Sequence, residues 1–144
     1  MPEFKYAKGR IIESLQFIGT EMKEFDEDYA SKGWEEYQKD KKLQKLIDRT
    51  AENILTALVE VCGTILTQDN ISVENYAQIL RECSKKFGFS GDEQESLAKL
   101  AIQRNRLANR YLNFRWQAIS LFAKLRPLIS KLLVEIFKRE ERKG

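Results

Sequence analysis

DKKLQKLIDRTAENILTALVEVCGTILT, Asp40 to Thr67, is the stretch whose reading decides the fold. Leu43, Leu46, Ile47, Thr50, Ile54, Leu58, Val61, Cys62 and Ile65 recur along it at three- and four-residue steps. Steps of that size keep a single face apolar on a helix and would scatter on a strand. The spacing therefore predicts one long amphipathic helix, ended by Gln68-Asp69-Asn70.

The same period extends outward in both directions. Upstream, Phe4, Ile11, Leu15, Ile18, Met22 and Phe25 predict a helix from about Glu3 to Tyr29. Ala30 to Lys39, with Gly33 inside, reads as a connection that Trp34 and Tyr37 anchor to the core. Downstream, Ser72 is the expected N-cap of a third helix, with Asn75 at its third position, Tyr76, Ile79, Leu80 and Cys83 on its face, and Gly88 at its end. Ser90-Gly91-Asp92 opens a fourth, with acids in the first turn where the helix dipole favours them. A last helix is predicted from about Asn113 to Arg139 on Leu121, Leu125, Leu128, Leu132 and Ile136, with a kink or break at Pro127 and a frayed tail over Glu140 to Gly144. No alternating strand pattern, internal repeat or low-complexity linker occurs. The expected architecture is a single all-α domain over residues 1–144, an up-down bundle of four to five helices.

Composition narrows the class of protein. No apolar run approaches the roughly 20 residues of a membrane span, and MPEFKYAKGR lacks the apolar core of a signal peptide, so a cytoplasmic protein is expected. Cys62 and Cys83 have no CxxC spacing and no histidine beside them, which favours buried free thiols over a metal site; no cofactor is implied. Charge is unevenly distributed. From Ser96 through Val134 there is no Asp or Glu, while Lys99, Arg104, Arg106, Arg110, Arg115, Lys124, Arg126 and Lys131 put +8 there, so that against a whole-chain +3 the remainder carries −5. Such a segment suits a polyanion or an acidic partner, or else it solvates helix faces.

The basic segment contains a local conflict. Leu97, Leu100, Ala101, Leu107, Ala108 and Tyr111 form an apolar stripe on the fourth helix, and Arg104 falls in its middle. A guanidinium at such a position needs a partner or a cleft, unless its stem packs and its head reaches water. Asn109, five residues on, would point about 140° away on an uninterrupted helix. The two share a site only if the helix ends near Ala108 or if two subunits supply one residue each.

RNRLANRYL, Arg104 to Leu112, resembles the Arg-x4-His-x-Tyr motif of HepT-like proteins, a branch of the HEPN superfamily, with Asn109 in the histidine's place and Asn105 as motif support. The Asp40 to Thr67 helix and the SVENYAQIL segment follow the family's order, so the likeness is firmest over Asp40 to Trp116. The resemblance implies helical homodimers whose paired motifs line a cleft. It further implies metal-independent endoribonuclease toxins and a small nucleotidyltransferase antitoxin of the MntA type that attaches AMP to the motif tyrosine, here Tyr111.

On this likeness Arg104 and Asn109 occupy the catalytic positions, and Arg106, Arg110 and Arg115 are candidates to hold RNA or nucleotide phosphates. An arginine fork suits phosphate oxygens. Proton transfer at a ribose 2′-hydroxyl calls for a group titrating near neutrality, and a carboxamide does not titrate there. The chain contains no histidine at all, and tyrosine and lysine ordinarily titrate far too high. Three readings follow: a HepT-like ribonuclease weakened at position 109; a non-catalytic dimer that binds RNA, nucleotide or the nucleotidyltransferase; and a plain helical adaptor with a basic face.

Overall fold

A computed structural model describes residues 10–143. Six helices succeed one another: α1 (Arg10–Glu24), α2 (Trp34–Lys39), α3 (Lys41–Gln68), α4 (Tyr76–Lys86), α5 (Gly91–Arg106) and α6 (Leu112–Lys143). A π-helical turn, Phe25–Tyr29, extends α1. Among the described residues there is no strand. Glu3 and Phe4, placed by periodicity on the first helix, lie outside the described residues.

α3 is the spine of the bundle. Ile47, Ile54, Leu58, Val61, Cys62 and Ile65 are all buried, and α3 packs against α1, α2, α4, α5 and α6. Each such side chain contributes about 1.5–3 kcal/mol when taken fully out of water. Leu46 departs from the expected stripe and is exposed. Asp40 starts α3 by accepting the Leu43 amide at 3.0 Å. Ser90 and Glu93 close a reciprocal capping box on α5, at 3.2 Å and 2.9 Å. Gly88 ends α4 with φ +79°, a conformation that favours glycine. Cys62 and Cys83 are free and buried, as expected.

Four expectations need correction. Six helices replace four or five, because Trp34–Lys39 is a helix, α2, and not an irregular connection. Its anchors were read correctly: Tyr37 is fully buried, donates to Asp48 Oδ1 at 2.7 Å, and lies against Trp116 with ring centroids 4.9 Å apart. α4 starts four residues after Ser72; Asn75 is the actual cap, accepting from the Gln78 amide at 2.9 Å.

The other two concern α6, which runs through Pro127 without a break. Proline removes the amide that would have bonded the Ala123 carbonyl four residues back. Arg126 Nε donates to that carbonyl instead, at 3.0 Å. The expected frayed tail is helical to Lys143. Arg139 grips Asp69 through two bonds of 3.0 and 2.8 Å, and Lys143 Nζ donates to Gln68 Oε1 at 2.7 Å. Both partners lie at the far end of α3, so the end of α6 is tied to the spine.

Candidate functional site

Helix α5 ends before Asn109, and no hydrogen bond joins Arg104 to Asn109 among the described residues. The last helical residue is Arg106, and the chain then tightens: Leu107 N–H reaches the carbonyls of Gln103 and Arg104, each at 3.3 Å, and Asn109 N–H reaches that of Arg106 at 3.0 Å. Leu107 is buried and holds the turn against the core. The break two residues before Ala108 frees Asn109 from the direction a continued helix would impose.

Asn109 then turns the chain into α6. Its side-chain Oδ1 accepts the Tyr111 amide at 2.9 Å, an Asx turn of the kind this residue favours. The carbonyl end of the carboxamide is thus committed to backbone.

Arg104 is half-buried. Its Nε donates to Thr56 Oγ1 on α3 at 3.0 Å, and its guanidinium carbon stands 5.5 Å from the ring centroid of Tyr76 at the start of α4. The same side chain lines a cleft of roughly 620 Å³ between α1 and α3, with Arg10, Phe17, Asn53 and the carboxylate-bearing Glu13, Glu52 and Glu60. The apolar stripe around it is real for Leu97, Leu100, Ala101 and Leu107, all buried.

The stripe stops there. Ala108 is exposed, and Tyr111 lies beyond the end of α5 with 56% of its surface open. Its ring meets Phe114 edge-on at 6.0 Å, and the Arg110 guanidinium stands 5.3 Å from the ring centroid. Asn105, Arg106 and Arg110 are exposed, and Arg106 makes one long contact, 3.4 Å, to Gln117.

Arg115, a candidate phosphate ligand by sequence, is turned inward. It pairs with Asp48 Oδ2 at 2.8 Å while Tyr37 holds Oδ1. Burial pushes the Asp48 carboxyl upward, against the downward pull of the Tyr37 hydroxyl and Arg115. Burial, reinforced by Asp48, pushes the Tyr37 phenol well up. This network joins α2, α3 and α6, and it is structural. Arg126 pairs with Asp26 and Lys131 with Glu93, so three of the eight cations in the basic segment are neutralised by acids from elsewhere in the chain. Among the described residues, Lys99, Arg104, Arg106, Arg110 and Lys124 form no ion pair.

Sequence reasoning missed Thr56 and Tyr76. Thr56 is 48 residues from Arg104, and nothing local to α3 marks it. Tyr76 was assigned to the buried face of its helix but is 45% exposed.

The all-helical fold agrees with a match to the ribonuclease HepT-like family over residues 12–124. That span holds α3, Arg104, Asn109 and Tyr111, and the chain belongs to this family. Among curated proteins, none matches it. No described helix is long and apolar enough to cross a membrane.

Proposed function

We propose that this chain is the ribonuclease-type component of a toxin–antitoxin module, acting on RNA as a homodimer, with cleavage impaired at position 109. The observation that carries the reading is the Asn109 turn. Asn109 stands in the family histidine's place, its carbonyl caps the Tyr111 amide, and the chain has no histidine anywhere. Arg104 retains a fork suited to a phosphate. What is missing is a group to take the 2′-hydroxyl proton, a contribution of about 10²- to 10⁴-fold.

A symmetric pair of chains would bring two such turns together and explain why a half-buried arginine is kept on an otherwise apolar stripe. The partner is a small nucleotidyltransferase of the MntA type, acting on the exposed Tyr111. A non-catalytic dimer that binds RNA or that partner is the second reading, and the lost proton-transfer group favours it over a fully active nuclease.

The test is cleavage of a labelled single-stranded RNA in the presence of chelator. The chain as written cuts poorly, and added metal does not rescue it. Asn109→His raises cleavage by about 10²-fold or more, and adding Arg104→Ala abolishes the gain. Robust cleavage by the unmodified chain overturns the impaired-nuclease reading.

A further inference from the structure

Among the described residues, Arg104 is not held by a carboxylate. Two neutral groups hold it, one on each side. On α3, Thr56 Oγ1 accepts from Nε at 3.0 Å. At the first turn of α4, the Tyr76 ring lies under the guanidinium at 5.5 Å. Nε is the donor least suited to a bidentate contact with both terminal nitrogens, and it is the one the protein uses. Among the described residues, neither Nη of Arg104 donates to a protein acceptor. The planar fork is thus fixed by its stem end and its face while both terminal nitrogens remain available, the arrangement that bidentate binding of a phosphate requires.

The choice of neutral partners has an electrostatic consequence. A carboxylate would hold Arg104 more firmly and cancel its charge. A hydroxyl and a ring face orient the group without pairing its charge, so an incoming anion can pair with it. The carboxylates of Glu13, Glu52 and Glu60 line the cleft between α1 and α3, and Tyr76 does not. A nucleotide approaching over Tyr76 therefore lies away from those acids.

Tyr76 has a second property. It carries Arg104 on its face and still keeps 45% of its surface exposed. An exposed aromatic ring beside an unneutralised phosphate fork is the pairing that single-stranded nucleic acid uses: backbone to cation, base to ring. Its position is fixed by α4, whose cap, Asn75, is the preceding residue.

We propose that Thr56 and Tyr76 are positioning residues for Arg104, and that Tyr76 also stacks the base of the nucleotide whose phosphate Arg104 holds. This rests on the RNA-directed reading above. It extends that reading by assigning the platform for the base and by predicting that the site takes single-stranded RNA.

The test compares two labelled probes of equal length at low salt: a single-stranded oligouridylate and the same ribose-phosphate chain lacking bases. Thr56→Val keeps the shape and removes the acceptor; it weakens both probes by about 3-fold or more, and Thr56→Ser restores them. Tyr76→Leu weakens the base-bearing probe by about 5-fold or more and the abasic probe less, and Tyr76→Phe behaves as wild type. Both sites are accessible enough for substitution without loss of the core, and unchanged melting temperatures confirm folding. Arg104→Ala serves as the reference. If it weakens RNA binding while Thr56→Val and Tyr76→Leu do not, this inference is overturned and the RNA reading stands. If wild type binds no RNA, or Arg104→Ala binds as tightly, both are overturned.

Discussion

The side chain of Asn109 and the backbone of Tyr111 are joined by a 2.9 Å hydrogen bond, so one short turn links the two positions that the sequence resemblance sets against a histidine and a tyrosine. The bond satisfies an amide at the start of α6 that has no partner within that helix. Asn109 thereby has a structural role. Asn109→Ala should cost about 0.5–1 kcal/mol in denaturant unfolding. Asn109→Asp should hold stability, since its carboxylate also accepts and faces a helix N-terminus. An alanine variant as stable as wild type would remove the turn from the account of why asparagine sits here.

Tyr111 is open to a modifying enzyme. More than half of its surface is exposed, and among the described residues its ring meets Phe114 and Arg110. Co-expression with the cognate nucleotidyltransferase should add one or more AMP masses to the intact protein. Tyr111→Phe should lose them. An unmodified mass beside an active partner enzyme counts against the Tyr111 assignment. Tyr111→Phe itself should leave stability nearly unchanged, because the hydroxyl makes only a 3.4 Å contact, to Arg110.

RNA binding should depend steeply on salt, because cations that neutralise phosphates release counterions. The structure sorts which cations count. Arg106→Ala and Arg110→Ala, both at exposed positions, should each lower the slope of log affinity against log salt by about 0.7 for a single strand. Arg115→Ala should leave the slope alone and destabilise the fold, because it strands the buried Asp48 carboxylate. A reduced slope in Arg115→Ala with unchanged melting would mean that Arg115 faces RNA after all.

These assignments mark the boundary of what the sequence could tell. The long α3 stripe was legible because its apolar residues repeat one period from Leu43 to Ile65, and all of them but Leu46 pack into the bundle. The Ser90 cap and the Gly88 stop were legible because their chemistry is local. α2 was not, since Trp34–Lys39 is too short for periodicity to register; tertiary contacts of Tyr37 and Trp34 with Trp116 hold it. The break offered at Pro127 did not occur, because Arg126, one residue away, bonds the freed Ala123 carbonyl through its side chain. At the candidate site, Arg104, Asn109 and Tyr111 were singled out by their resemblance to a family motif, and Arg104 also by its conflict with the apolar stripe. The surroundings of Arg104 could not be read: Thr56 and Tyr76 reach it through the fold, and no linear pattern links them to it.

The far end of α3 offers a pH test that is independent of RNA. Asp69 caps the spine and accepts two bonds from Arg139, while Lys86 pairs with the same carboxylate. The Arg139 contact, aided by Lys86, holds the Asp69 carboxyl well below the usual carboxylate range. A carboxyl lowered by folding stabilises the native state at every pH above its unfolded value, about 3.9, and loses that contribution as pH falls further toward the folded value. Asp69→Asn should therefore melt lower than wild type by about 3 °C or more at pH 7. The difference should hold from pH 7 down to about 5 and shrink below about 4, as wild type takes up the proton that asparagine never needed. Thermal melts of the two proteins across pH 3 to 7 check it. A melting difference that persists unchanged at pH 3 would show that Asp69 acts through its shape and hydrogen bonds, not its charge.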